Sequence, residues 1–260
     1  MPLLAVQATE LVDGFFIGCT ANHAVIDGTS FWHFFNSWSE ISRGLETILK
    51  TPVFERWFAS NISKENHLIP LPPLDRSLLH SFVPPPLLQR VFHFSRESVA
   101  KLKAKANAEA GTDKISSLQA LSAHLWRSVT RCRNQLSVQK TNTQELDLVF
   151  VVGTRSRIPL PDGYFGNAVQ IVKTVASEGE VLGNGLGYAA LKFASAQCIQ
   201  RRLRVGETDC CEKRKRAKSD GKMTLFPAAE PGGIDVEACL APATLKAMEA
   251  DAEFMDAVTI

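Results

Sequence analysis

No stretch of this sequence is long and apolar enough for a membrane-spanning helix, which needs about 18 uninterrupted apolar residues. The first residues also lack the basic-then-apolar order of a secretory signal. A large excess of one charge is missing too, because 29 lysines and arginines stand against 27 aspartates and glutamates. We therefore expect a cytoplasmic protein with neither a membrane nor a nucleic acid as its partner.

The six cysteines include no C-x-x-C pair. Their spacing argues against a zinc knuckle and against a disulfide framework, so we expect reduced, mostly buried thiols and no metal site. Of the 260 residues, 45% are hydrophobic and 22% are charged. Such a chain can bury a core in one large or two small domains, and we expect a monomer.

Residues 23–28, HAVIDG, form the segment that most strongly indicates chemistry. They follow the apolar stretch 15–22, which predicts a strand that ends at His23. An imidazole at a strand exit, with Asp27 four positions on and then Gly28, suits a histidine that takes a proton from a hydroxyl or an amine. In the alternative interpretation His23 only closes the strand, because H-x-x-x-D patterns also occur by chance.

Local patterns predict the elements around this segment. Residues 3–9 and 15–22 are typical of antiparallel strands joined by a turn at Asp13-Gly14. After Gly28 a helical spacing of apolar residues predicts a helix, with a serine or threonine as its N-cap and Gly44 just beyond its end.

This helix carries an aromatic stripe formed by Phe31, Phe34, Phe35 and Trp38. We expect the stripe to belong to the hydrophobic core rather than to surround a ligand. His33 has no second histidine four residues away, so we expect a packed or partly exposed helix residue and not a metal ligand.

The remaining elements follow from the same rules. Six prolines within 70–86 predict an extended connection, and two helices are predicted, one from Ser95 to Gly111 and one from Ser116 or Ser117 onward. Strands are predicted over 146–152, covered on both faces, and over 168–175, 223–226 and 234–240, with a turn at Gly232-Gly233 and a closing helix from Pro242.

Several of these segments resemble one family. Residues 20–35, TANHAVIDGTSFWHFF, resemble the active-site strand and following helix of the plant BAHD acyl-CoA-dependent acyltransferases. Four further matches follow in the same chain order, at 116–127, at 151–157 with its R-x-R pattern, at 160–168 with Y-F-G-N, and at 220–237. The sequence is thereby identified as a member of this family.

The resemblance implies a mixed α/β fold of the chloramphenicol-acetyltransferase-like type, with mixed sheets and flanking helices. It implies that residues 1–69 are a remnant of the N-terminal domain, whose opening half is missing, and that 70–90 are the crossover. Residues 91–260 would form the C-terminal domain. This sequence departs from the family in lacking the D-F-G-W-G motif and in carrying an atypical basic segment at 199–218.

The resemblance also implies a reaction. His23 would deprotonate the hydroxyl or amine of a plant metabolite, which then attacks the carbonyl of an acyl-CoA directly, so acyl-CoA is a co-substrate and no bound cofactor is expected. Asp27 would pair with Arg155 of the R-x-R strand through two hydrogen bonds and fix the strand end that presents His23. In the alternative interpretation Arg155 and Arg157 are ordinary surface charges.

Together with Arg155 and Arg157, three further residues are candidates for substrate binding. Gly28 would keep side-chain bulk out of the substrate channel. Ser116 and Ser117 stand at a helix start whose free N–H groups suit the phosphates of CoA, although both also fit a plain capping role.

The sequence leaves more than one function open. Residues 213–218, KRKRAK, are either a nucleic-acid or import patch or, as we prefer, a solvated replacement segment. The leading prediction for the chain is an acyl-CoA-dependent acyltransferase. The alternatives are a non-catalytic homologue that binds CoA or a protein partner, and a non-functional fragment.

Overall fold

The computed structural model describes residues 2–56, 85–137, 143–202 and 220–259, with side chains left out for 197–202. The chain divides into two compact units. Unit 1 comprises Met1–Leu68 and Phe150–Val172, and unit 2 comprises Ile69–Val149 and Lys173–Ile260. Nearly all of the predicted proline-rich connection, 70–86, and most of the basic segment 199–218 lie outside the described residues.

Unit 1 opens with a β-hairpin. Strands β1 (Leu4–Leu11) and β2 (Gly14–Ala21) pair antiparallel, with Leu11 opposite Gly14. The turn therefore consists of Val12 and Asp13, one residue earlier than predicted. Every residue of β1 is exposed, and β2 becomes half-buried only towards its end.

Helix α1 (Gly28–Ser42) follows the loop that contains His23. Its N-cap is Asp27, whose carboxylate accepts a hydrogen bond from the backbone N–H of Ser30, so the predicted serine or threonine cap is wrong. Gly44, at φ +87, lies just beyond the C-cap as predicted, in a conformation that glycine adopts without strain.

The aromatic stripe of α1 is not part of the buried core within the described residues, contrary to our expectation. Phe31, Phe35 and Trp38 are only half-buried, and Trp32 is 59% exposed. The rings contact mainly one another, at centroid separations of 5.6–6.3 Å. The helical spacing therefore predicted correctly that these aromatic residues lie on a helix. It did not predict whether other residues cover them.

Backbone contacts join two loops of unit 1. The N–H of Val53 donates to the carbonyl of Gly163, and the N–H of Phe165 donates to the carbonyl of Val53. Lys50 and Asp162 form an ion pair in the same region. These contacts hold the segment 160–168 in place.

Unit 2 contains a three-stranded antiparallel sheet in the order β3-β7-β6. Its strands are β3 (Leu88–Phe94), β6 (Lys222–Pro227) and β7 (Ile234–Leu240). The register places His93 opposite Asp235, and the two side chains form a hydrogen bond of 2.7 Å. Both predicted strands near the C-terminus are confirmed.

The three predicted helices of unit 2 begin at the predicted signals, and α2 ends before Gly111 as predicted. Ser95 caps α2 (Arg96–Ala110), and Ser116 rather than Ser117 caps α3 (Ser117–Leu136). The other helices are α4 (Glu178–Gly183), α5 (Gly185–Arg202), α6 (Pro242–Ala250), which starts at Pro242 as predicted, and α7 (Ala252–Met255).

The core of unit 2 lies between this sheet and the helices. Helix α3 packs against α2, α5 and α6. The centre of this core consists of fully buried apolar side chains, among them Phe94, Ile115, Leu121, Val181, Val236, Leu240, Met248 and Phe254. The burial of these apolar side chains is the main contribution to the stability of the unit.

Two further strands, β4 (Glu145–Gly153) and β5 (Val169–Ser177), form a two-stranded sheet. We predicted that β4 is covered on both faces, and this is wrong within the described residues, since Val151 is 63% exposed. An apolar run marks a strand but not the number of layers that pack on it.

Two global expectations can be compared with the described residues. Among them, no helix combines the length and the apolar character that crossing a membrane requires. Cys132 and Cys239 are buried free thiols and Cys19 is a half-buried one, as the sequence predicts for the cysteines whose side chains are described.

Candidate active site

The candidate site of unit 1 is built around the carboxylate of Asp27, which is buried. Its Oδ1 accepts hydrogen bonds from the Ser30 N–H at 2.9 Å and from Nη2 of Arg155 at 2.8 Å. Its Oδ2 accepts from Nε of Arg155 at 3.0 Å and from the N–H of Ala168 at 3.0 Å. The predicted two-bond pair of Asp27 and Arg155 is therefore present, and both carboxylate oxygens are fully occupied.

These bonds decide the charge of Asp27. Burial disfavours the ionised carboxylate, but the hydrogen bonds from Arg155, Ser30 and Ala168 outweigh it and lower the pKa of Asp27 below its ordinary value. Asp27 is consequently an anion at neutral pH. With all its acceptor positions in use, it acts as an anchor of the backbone and not as a group that exchanges protons.

Arg155 donates hydrogen bonds from all three nitrogens of its guanidinium group. Besides Asp27, its Nη1 donates to the carbonyl of Tyr164, and its Nη2 donates to Ser30 Oγ and to the carbonyl of Gly166. The guanidinium also lies over the ring of Tyr164, 5.5 Å from its centre. Arg155 is thus the centre of a network and not a surface charge.

Ser30 completes this network from the first turn of α1. Its fully buried hydroxyl donates to the carbonyl of Gly166 and accepts from the N–H of the same glycine, both at 2.9 Å. The sequence pointed to Asp27 and Arg155, but it did not single out Ser30. A small hydroxyl residue three positions after the aspartate is the only local signal, and it was read as a helix cap.

His23 lies in the loop between β2 and α1, and its side chain is exposed. Within the described residues no hydrogen bond or ion pair engages its imidazole. The backbone of the loop is held instead. Asn22 accepts hydrogen bonds from Ala24 and Val25, and the side-chain amide of Asn167 donates to the carbonyl of His23.

The structure separates the other predicted site residues of unit 1. Gly28 is exposed at the start of α1, and a Cβ added there would meet no atom within 4 Å among those described. Arg157 is exposed, unlike its neighbour Arg155. The R-x-R pattern therefore contributes one arginine to the buried network and one to the surface.

Ser116 and Ser117 lie in unit 2, where they differ from each other. Ser116 forms a capping box with Gln119, which uses its hydroxyl within the helix. Ser117 lines an open groove of about 460 Å³. Arg96, Lys103 and Asn107 line the same groove, which gives it two positive side chains.

No group of three histidine, cysteine, aspartate or glutamate side chains in the described part of the chain is arranged to hold a metal ion. The donors that gather in unit 1 are a carboxylate, a guanidinium, a hydroxyl and backbone amides. Since every contact of Asp27 is a hydrogen bond from the protein, its role in the site is to fix geometry.

Three known proteins show what this chain is similar to in sequence and in fold. An uncharacterized acetyltransferase of Arabidopsis thaliana is 32% identical over 305 residues, which cover 98% of this chain and 67% of that protein. The BAHD acyltransferase DCR of Arabidopsis thaliana is 36% identical over 200 residues, which cover 73% of this chain and 40% of that protein. The crystal structure of F. sporotrichioides TRI101, complexed with coenzyme A and T-2, has 16% identity and a TM-score of 0.67 and is matched over 99% of this chain and 70% of its own.

The sequence relatives named above are acyltransferases, and this chain shares the mixed α/β fold of the TRI101 structure. The sequence profile described as the Transferase family matches residues 1–213. The chain belongs to this family, that of the plant BAHD acyltransferases.

Proposed function

We propose that this chain transfers an acyl group from a CoA thioester to a hydroxyl or an amine of a plant metabolite, with His23 as the general base. The observation that carries the proposal is the contrast between Asp27 and His23. The aspartate is locked by four hydrogen bonds, whereas the imidazole four residues earlier is exposed and unengaged within the described residues.

The proposed step follows from this contrast. The imidazole takes the proton of the acceptor, the acceptor oxygen or nitrogen forms a bond to the thioester carbon, and the C–S bond then breaks. The imidazolium gives its proton to the departing CoA thiolate. Because the acceptor attacks the thioester directly, no acyl-enzyme forms. A positioned base contributes about 10²–10⁴-fold to such a reaction.

We propose that the groove of unit 2 binds the phosphates of CoA. Arg96 and Lys103 supply two cations, and Ser117 stands in the first turn of α3, where backbone N–H groups favour anions. The relative TRI101 is named as a complex with coenzyme A, which supports this choice of ligand. We further propose that the protein is cytoplasmic and monomeric. Size-exclusion chromatography with light scattering measures its oligomeric state.

The experiment is a thiol-release assay. Purified protein is mixed with a panel of acyl-CoAs and of phenolic or amine acceptors, and free CoA thiol is followed over time. His23→Ala is compared with His33→Ala, because His33 is a partly exposed histidine bound to the carbonyl of Lys50 and serves as a matched control. Loss of thiol release in His23→Ala alone is expected, and equal rates in the two variants would exclude His23 as the base.

A second candidate function is CoA binding without turnover, since the charged groove consists of unit 2 residues only. For this function, CoA raises the melting temperature of the chain and Arg96→Ala with Lys103→Ala removes the shift, while no acceptor is modified. Absence of both a shift and thiol release would indicate a non-functional fragment.

A further inference from the structure

Asn167 occupies a special position in the 164–167 segment, because its two chain neighbours are fixed by the buried network while its own side chain is exposed. Gly166 exchanges two hydrogen bonds with Ser30, and the N–H of Ala168 donates to Asp27. The carbonyl of Ala168 also accepts from the N–H and the hydroxyl of Thr154, both at 2.9 Å. The backbone of Asn167 therefore has little freedom.

The side chain of Asn167 reaches out of this network to the loop of His23. Its Nδ2 donates to the carbonyl oxygen of His23. A backbone carbonyl can only accept, so the amide N–H₂ end of the asparagine is the end that fits this contact. This bond joins two residues that are 144 positions apart in the sequence.

The loop of His23 is fixed at its two ends, where the N–H of Asn22 donates to the carbonyl of Leu3 and the N–H of Asp27 donates to the carbonyl of Gly166. Ile26 and Asp27 are buried, but His23 and Ala24 are exposed. The hydrogen bonds of Ala24 and Val25 both end on Asn22, within the loop itself. Among the described residues, the Asn167 amide is therefore the contact that ties the His23 peptide group to the fixed part of unit 1.

We propose that Asn167 is a positioning residue for His23. The buried pair of Asp27 and Arg155 fixes Gly166 and Ala168, these fix Asn167, and the amide of Asn167 fixes the peptide plane from which the imidazole projects. The inference rests on the proposed function in so far as it concerns activity. Its structural part, the restraint of the His23 loop, stands independently of any reaction.

The test uses the full chain with Asn167→Ala, Asn167→Asp and Asn184→Ala. Asn184 is an exposed asparagine at the end of α4 and serves as the control. Backbone amide exchange is followed in peptides that span residues 20–28. We expect faster exchange in both Asn167 variants and unchanged exchange in Asn184→Ala, with a Tm change of no more than about 4 °C since Asn167 is exposed.

Kinetics supply the second measurement. Displacing a reacting group by about 1 Å costs roughly 10²-fold in rate, so Asn167→Ala should lower kcat by about 10- to 100-fold with little change in the KM for acyl-CoA. In the His23→Ala background, Asn167→Ala should have no further effect, because the two residues act in one unit.

The outcomes separate the two proposals. Unchanged amide exchange over 20–28 in Asn167→Ala overturns the positioning role. Faster exchange together with full activity of His23→Ala supports the positioning contact and overturns the proposed role of His23 as the base. An equal loss of kcat in Asn167→Ala with and without the His23 side chain would also overturn the inference, because Asn167 would then act on the rate by another route.

Discussion

Ser30 and Gly166 exchange two hydrogen bonds through a single hydroxyl group. The Oγ of Ser30 donates to the carbonyl of Gly166 and accepts from its N–H, and it accepts a third bond from Arg155. One side chain thus uses all of its hydrogen-bonding capacity to join the first turn of α1 to a segment 136 residues away.

Ser30→Ala should therefore destabilise the protein well beyond an ordinary surface substitution. It leaves the N–H of Gly166 buried without its partner, and an unpaired buried group costs about 1–3 kcal/mol. Urea unfolding measures the change. Ser42→Ala on the same helix is the control, because the exposed hydroxyl of Ser42 bonds only to the carbonyl of Trp38 among the described residues, and its effect should stay within about 0.5 kcal/mol.

The pair of Asp27 and Arg155 predicts a pH dependence of stability. The pKa of Asp27 is lowered from 3.8 in the folded protein, so the unfolded chain takes up the proton first as the pH falls. The stabilisation is complete above the unfolded pKa and disappears as the pH drops through the folded one.

Asp27→Asn should consequently lower the free energy of unfolding by about 3 kcal/mol at pH 7, because it leaves Arg155 without its buried counter-charge. The difference from wild type should shrink as the pH is lowered below about 4, where Asp27 of the unfolded chain becomes protonated while the folded protein still holds it ionised. Denaturation curves between pH 3 and pH 7 check this, and a difference that stays constant over the whole range would contradict it.

Gly166 and Gly28 should respond differently to alanine. A Cβ at Gly166 would lie 2.7 Å from Oη of Tyr164 and 2.8 Å from its Cε1, in a buried place, whereas one at Gly28 would meet nothing within 4 Å. Gly166→Ala should cost about 1–3 kcal/mol through overpacking.

Gly28→Ala should leave stability unchanged or raise it by up to about 1 kcal/mol, because alanine favours the helix. Thermal unfolding compares the two variants directly. If Gly28 keeps the substrate path clear, Gly28→Ala will lose thiol release while its Tm is preserved, and full activity in that variant would remove Gly28 from the candidate site.

His124 predicts acid sensitivity of unit 2. It is buried on α3, stacked on Phe254 and edge-on to Phe94, and burial lowers its pKa to about 4 from an ordinary 6.5. The unfolded chain binds a proton at the higher pH, so the free energy of unfolding should fall by about 3 kcal/mol as the pH drops from 6.5 to 4.

His124→Phe should remove this part of the pH dependence, because the ring contacts remain and the titrating group does not. Nε2 of His124 has no hydrogen-bond partner in the part of the chain that the structure describes, whereas the imidazole does form a hydrogen bond with the backbone of Phe254, which the exchange removes. Chemical denaturation at pH 4.5 and 7 measures the slope. His33→Phe on α1 is the control for the exchange of a histidine for phenylalanine outside unit 2.

Local rules were sufficient for six of the seven strands in the described residues and for helices α1, α2, α3 and α6, whereas β3, α4, α5 and α7 were not predicted. Gly44 and Gly111 mark helix ends, Ser95 and Pro242 mark helix starts, and each of these signals acts on a few neighbouring residues. The burial of the same elements depends on what packs against them, which is why the aromatic stripe of α1 and the faces of β4 were predicted wrongly.

In the candidate site too, local signals and contacts between distant segments have to be distinguished. Asp27 and Arg155 lie 128 positions apart and were paired through the resemblance to the family, not through spacing. The sequence did not predict the role of Ser30, because its partners Gly166 and Arg155 come from distant segments. No local pattern distinguishes a serine that joins such segments from a serine that caps a helix. Asn167 belonged to a recognised Y-F-G-N segment, but only coordinates relate its amide to His23.

The open β1–β2 hairpin has a practical consequence for anyone who purifies this protein. Two paired strands are marginal by themselves, and here Phe15, Phe16 and Val12 are solvent-exposed. Since neither outer edge pairs with another strand of the described residues, the hairpin can template further strands from neighbouring molecules. We therefore expect concentrated samples to aggregate first through this hairpin, and we expect Val12→Lys to delay their precipitation.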